Sequence, residues 1–341
     1  LGGDEFGIIA QDTKIQSAKI IMETINKKLS THPIIINNQK IYITTSIGIS
    51  TCLNEETHCS KEEVKLLAEE ALRQAKRSGK SNVVIASQKV KDRQDMSIYE
   101  LINRAIDENL IEPAFEPIFD LKKDKIFGFE SLCRIRLNEN IIYPDQFIEE
   151  AEDLGLINKI DLLMIRKACE RISDLNDKYN ADFKLFVNIS AKAFKDKSFF
   201  QEVVDIAKNY NMKDKLYIEI TERESLANLE KFEEIEEFLK YYGINFVIDD
   251  FGSGYSSFLY LKFIKTEILK IDGVFIKNIT KNDKDKAIVK GINTTARHLN
   301  IRTLAEFIED EETLQELKVM GVDFGQGYYL GKPSFDLEKF L

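Results

Sequence analysis

The sequence predicts an α/β fold dominated by a TIM-like (β/α)8 barrel. From residue 183 onward, short apolar runs alternate with amphipathic helical stretches, the pattern of strand and helix units around a parallel sheet. Six of these runs carry a polar residue near their end, and two similar runs upstream bring the strands to eight. Eight strands in roughly 230 residues fit a barrel whose active site lies at the carboxyl ends of its strands.

Each element has its own signal. LGGDEFGIIA reads as a strand, tight turn and strand, since Gly2 and Gly3 allow the positive φ that hairpin turns need. SQKVKDRQDMS is polar and charged, which predicts a linker over residues 89–97 between a first part, residues 1–88, and a barrel domain, residues 98–341. In MSIYELINRAIDENL the apolar residues Ile98, Leu101, Ile102, Ala105 and Ile106 recur at helical spacing and predict one buried face. PAFEPIFDL and IFGFESLCRI are the first two barrel strands, the second carrying Glu130. FKLFVNIS, LYIEITE, NFVIDDF, EILKIDG, TLAEFIE and DFGQGYYL follow, with Asn188, Glu219, Asp249 and Asp250, Lys270, Glu306 and Gln326 as their late polar residues. The acids of NLEKFEEIEEFLKYYG suit a solvated helix face and need no further role.

The adjacent acids Asp249 and Asp250 carry the chemistry. Successive strand residues point to opposite faces, so both meet one ligand only if the strand ends there and the backbone turns. Converging carboxylates suit a pair of hard divalent cations bridged by one oxygen. The strand-end set holds acids, two amides and one lysine but no histidine, which favours Mg²⁺ or Mn²⁺ over zinc.

These residues resemble an EAL domain, a cyclic di-GMP phosphodiesterase module. The motif that names the family stands as Glu130-Ser131-Leu132, followed by Arg134, and VNIS, EITE, DDFGSGYSS, LKID, AE and QGY occur in family order. The resemblance implies that Glu130, Asn188, Glu219 and Asp249 bind one metal, and that Asp249 bridges to a second completed by Asp250 and Glu306. It makes Lys270 the residue that orients or deprotonates the attacking water, and Arg134, Leu132, Glu116 and Gln326 substrate contacts. Glu222 matches the acid that anchors a mobile loop, FGSGYSS. The implied activity is hydrolysis of cyclic di-GMP to linear pGpG by two Mg²⁺ or Mn²⁺ ions; the alternative is a receptor that binds the nucleotide without cutting it. A homodimer is implied by the same analogy. Two departures stand out: Glu116 where the family usually has glutamine, and Phe307 where it has glycine after Glu306. Alternation would turn Phe307 to the face opposite Glu306.

The first residues resemble the signature of the GGDEF domain of diguanylate cyclases, with Gly2 and Gly3 at the phosphate turn and Asp4 and Glu5 at metal and nucleotide positions. TTSIGIS and AEEALRQAKRSGKSNV, with Lys76 and Lys80, continue that resemblance. It implies the carboxyl-terminal half of an α+β domain, a fragment of a longer protein, and no cyclase activity in this piece.

Composition sets the outer bounds. A formal net charge of −10 disfavours a nucleic-acid polymer as partner. No apolar run is long enough to cross a bilayer, so a cytoplasmic location is expected, with a membrane anchor left to an upstream region. Four cysteines, at 52, 59, 133 and 169, and three scattered histidines show no metal or nucleophile pattern.

Overall fold

The structure, a computed structural model, describes residues 6–11, 13–31, 34–36, 39–41, 44–51, 64–65, 67–69, 71–72, 75, 82–86, 98–137, 140–221, 229–252 and 266–341. Gly2, Gly3, Asp4, Glu5, Lys76, Lys80 and Glu222 lie outside the described residues, as do the 89–97 linker and the loop from 253. The chain divides into two compact units, Leu1–Asp95 and Met96–Leu341.

In the first unit α1 (Ile15–Thr31) precedes a short antiparallel pair, β1 (Ile34–Ile36) and β2 (Gln39–Ile41). β3 (Ile47–Ile49) pairs in parallel with β4 (Val83–Ile85). Asn26 of α1 is buried, and its Oδ1 accepts from Thr45 Oγ1 at 3.1 Å. Of the hairpin predicted for residues 1–10, residues 1–5 lie outside the described residues, and residues 6–10 adopt no strand. A strand requires a ladder partner, and none of the described residues pairs with them.

The second unit opens on α2 (Ile98–Asp107), whose Ile102 and Ala105 are fully buried, as the helical spacing requires. β5 (Ile111–Asp120) and β6 (Lys125–Leu137) follow. β7 (Asn140–Ile142) folds back on the end of β6. Then come α3 (Ile148–Asp153), α4 (Ile157–Tyr179), β8 (Lys184–Asn188), α5 (Lys197–Asn209), β9 (Leu216–Thr221), α6 (Leu229–Tyr241) and β10 (Ile244–Phe251). β11 (Ile268–Ile271), α7 (Gly273–Ile276), α8 (Asp283–His298), β12 (Arg302–Ala305), α9 (Glu311–Met320) and β13 (Phe324–Gly325) complete the unit. Helices start where side chains cap them: Asp196, Asn282 and Asp310 accept from Ser198, Lys284 and Thr313 backbone N–H groups at the heads of α5, α8 and α9. Among the described residues no helix is long and apolar enough to cross a membrane.

Strands β5, β6, β8, β9, β10, β11, β12 and β13 close on one another, since β5 pairs with both β6 and β13. Seven run parallel and β5 runs against them. The cause is local: the turn at 121–124 is too short for a crossover, and Asp120 Oδ1 fixes it by accepting from the N–H groups of Lys122 and Lys123.

The barrel interior is layered. Ile118, Phe186, Tyr217, Val247, Ile268, Leu304 and Phe324, from seven strands, form one buried apolar cluster. Two residues further along the parallel strands stand Asn188, Glu219, Asp249, Lys270, Glu306 and Gln326. On antiparallel β5 the count is reversed, and Glu116 stands two residues before Ile118. The period of two turns each of these side chains to the same interior as its apolar neighbour, one layer nearer the carboxyl ends. The outward-facing strand residues pack with the helices in the main core.

Candidate active site

Lys270 occupies the centre of the polar layer. Its side chain is 1% exposed, and Nζ lies 2.9 Å from Glu219 Oε1, 3.0 Å from Glu306 Oε1, and 3.3 Å from both Glu130 Oε2 and Asp249 Oδ2. Burial opposes its charge, but the carboxylates of Asp249, Glu130, Glu219 and Glu306 outweigh that and hold it protonated.

The acids respond to the same field. Burial and the Glu130 charge push Glu219 well above the usual carboxylate range. Burial also raises Glu306, to about 8, against the pull of Lys270. Glu130 ends below its ordinary value, because Lys270 and the amides of Gln326 and Asn188 overcome its burial.

Asn188 ends β8 and donates from Nδ2 to Glu130 Oε1 at 2.9 Å and to Glu219 Oε2 at 3.0 Å. Its nitrogen faces the carboxyl oxygens, which accept from it; a half-turn of the amide presents Oδ1 instead. Gln326 Nε2 donates to Glu130 Oε2, and to Glu116 Oε2 at 3.3 Å, while its buried Oε1 has no hydrogen-bond partner among the described residues. Glu116 faces Glu130 directly across β5 and β6. Burial, then the Glu130 charge, raises Glu116 to about 7.

Asp249 and Asp250 sit where β10 loses register with β11, between Ile248 and Phe251. Asp250 takes a left-handed φ of +54°, so the backbone turns as the paired acids require. Carboxylate oxygens of Asp249, Asp250 and Glu306 lie within 4.8 Å of one another. Burial, then the charges of Asp249 and Asp272, lifts Asp250 to about 6. A cluster of carboxylates with no histidine or thiol among its donors fits hard divalent cations.

The structure thus brings Glu116, Glu130, Asn188, Glu219, Asp249, Lys270, Glu306 and Gln326 to one end of the barrel. Arg134 stands farther along β6, its guanidinium donating to Cys133 O and lying 4.8 Å from the Tyr143 ring centre. Leu132 precedes it and is half-buried. Phe307 departs from the expectation of simple alternation. β12 ends at Ala305, and Phe307 takes a left-handed φ of +54°, half-exposed, against Gly273 with Lys277 Nζ 4.1 Å from its ring centre. Asp272 is a site neighbour given no role from the sequence; the Asp-Gly pair before an apolar stretch was its signal, and its Oδ1 caps α7 through Val274 N–H.

Comparison with known proteins agrees with this architecture. The chain is 29% identical over 345 residues to cyclic di-GMP phosphodiesterase NbdA of Pseudomonas aeruginosa, covering 99% of this chain and 44% of NbdA. It is 31% identical over 341 residues to cyclic di-GMP phosphodiesterase PdeB of Shewanella oneidensis, covering 98% of this chain and 40% of PdeB. The chain therefore spans less than half the length of these relatives. The solved structure of PaMucR phosphodiesterase in complex with c-di-GMP superposes with a TM-score of 0.68 at 30% identity, over 72% of this chain and 100% of that one. Residues 1–82 match the diguanylate cyclase, GGDEF domain, family. Residues 100–333 match the EAL domain family, more than half of the sequence, and the chain belongs to that family.

Proposed function

We propose that the barrel binds cyclic di-GMP and hydrolyses it to linear pGpG with two Mg²⁺ or Mn²⁺ ions. The observation that carries this reading is the polar layer itself, in which three acids with oxygens within 4.8 Å stand beside a buried lysine. The phosphodiesterase names of NbdA and PdeB, and the c-di-GMP complex of PaMucR, support the substrate.

In this reading Glu130, Asn188, Glu219 and Asp249 hold one cation, and Asp249, Asp250 and Glu306 the other. When bound, the cations supply a water of lowered pKa and offset phosphate charge. Lys270 Nζ donates a hydrogen bond that orients the attacking oxygen, and water adds across one phosphorus–oxygen ester bond. Gln326 and Arg134 contact the nucleotide, the guanidinium pairing with phosphate oxygens, and Glu116 and Leu132 stand beside it.

A receptor that binds without cutting is the second reading, favoured by the buried acid Glu116 beside an anionic ligand. Incubating the chain with cyclic di-GMP and Mg²⁺ or Mn²⁺, with a chelator control, separates the two. Metal-dependent pGpG supports the enzyme, and binding without product supports the receptor.

We further infer a GGDEF-type first domain over residues 1–88, a linker over 89–97 and the EAL domain over 98–341. The enzyme is proposed to act as a cytoplasmic homodimer, which sedimentation velocity tests by mass.

A further inference from the structure

β8 delivers Asn188 to the acids and then leaves the barrel, and the turn that follows is gripped from outside. Ser190 N–H donates to Asp161 Oδ2 at 2.9 Å. Ser190 Oγ donates to Glu152 Oε1 at 2.8 Å. Lys192 Nζ donates to the backbone carbonyl of Glu152, so the segment is tied to α3 at more than one atom. Asp161 and Ser190 are both buried.

These anchors are themselves fixed. Glu152 lies on α3 and Asp161 near the start of α4. Ala151, Ile157 and Ile160 from the two helices pack with Ile102 and Ala105 of α2 in an apolar cluster separate from the main core. Such a mount is rigid, because close-packed side chains leave little room for displacement.

An amide ligand depends on orientation more than a carboxylate does, since only one of its two polar atoms can bind a cation. We propose that Glu152 is a positioning residue, acting through Ser190 Oγ to set Asn188 for cation binding. This rests on the two-cation reading of the site.

The experiment is calorimetric titration of the nucleotide-free chain with Mn²⁺, alongside thermal melting. Glu152→Ala and Ser190→Ala are expected to weaken Mn²⁺ binding about 10-fold or more, the usual scale for partners that orient a ligand. Glu152→Gln keeps an acceptor for Ser190 Oγ and is expected to bind near the wild-type level. The double variant Glu152→Ala with Ser190→Ala should lose no more than either single one, because both break the same link. Should Glu152→Ala not fold, Ser190→Ala alone decides. Unchanged Mn²⁺ affinity in a folded Ser190→Ala, or additive losses in the double variant, overturns the proposal. A wild type that takes up no Mn²⁺ overturns instead the two-cation reading beneath it.

Discussion

Asp250 turns back on Asp249: its backbone N–H donates to Asp249 Oδ1 over 2.8 Å from a left-handed φ of +54°. One bond thus pins the first acid while the bend sends the second toward the same cluster as Glu306. Asp249→Asn keeps the acceptor for that N–H and loses the charge, so folding should survive. Hydrolysis should fall on the order of 10³-fold, the scale of a removed transition-state stabiliser. Single-turnover assays with Mn²⁺ check this, and a variant with normal turnover removes Asp249 from the metal site.

Lys270 is the cation on which four carboxylates converge. Lys270→Ala leaves those acids without it, so the barrel should lose about 3–5 kcal/mol at pH 8, the cost of stranding a buried partner. Turnover should fall about 10²-fold or more with loss of the group that orients water. Urea unfolding and steady-state kinetics measure the two losses separately. Wild-type stability in this variant would show that the buried charges are balanced elsewhere.

Asp250, Glu116 and Glu306 are raised to about 6, 7 and 8. Folding therefore binds protons that the unfolded chain, with ordinary carboxyl values, does not hold. The stability from these groups is complete below their unfolded values and disappears as pH rises through about 6 to 8. A chelator-treated sample should melt lower at pH 8.5 than at pH 5. Added Mn²⁺ should recover more at pH 8.5, where it competes with fewer protons. A melting temperature that rises with pH in chelator contradicts this.

Glu116→Gln removes a charge facing Glu130 without changing size. Cyclic di-GMP should then bind more tightly at pH 8, by roughly 1 kcal/mol in a partly solvated site. The gain should shrink in high salt, as screening weakens charge repulsion. It should also shrink at pH 5.5, because the native Glu116 is then protonated. Calorimetry at both pH values tests it; weaker binding would mean that Glu116 accepts hydrogen bonds from guanine.

Phe307 holds a backbone conformation natural to glycine. Replacing it by alanine removes the ring's packing on Gly273 but keeps the strain, whereas glycine removes both. Phe307→Gly should therefore be about 1 kcal/mol more stable than Phe307→Ala, the usual scale for a side chain held left-handed. Equal denaturation midpoints would show that the loop relaxes instead.

Much of the barrel was legible because its signals are local. FKLFVNIS, LYIEITE, NFVIDDF and EILKIDG each show an apolar run with a late polar residue, and each became a strand with that residue at its carboxyl end. The helix from Ile98 was legible for the same reason, through its repeat of apolar positions. TLAEFIE was less so: its strand stops at Ala305, because Phe307 adopts a conformation that no alternation rule anticipates. At the start, residues 6–10 adopt no strand although their residues favour one, because a strand depends on a partner as well as on its own residues.

The sequence by itself determined most element types of the barrel, the fold class and the strand-end residues, since propensity and periodicity act over a few neighbours. Only the tertiary structure decided that Lys270 would sit among Glu130, Glu219, Asp249 and Glu306, and that Glu116 would face Glu130. It also decided that Glu152 and Asp161 would grip the turn behind Asn188. These neighbours come from distant parts of the chain, and barrel closure and helix packing, which have no local signature, bring them together.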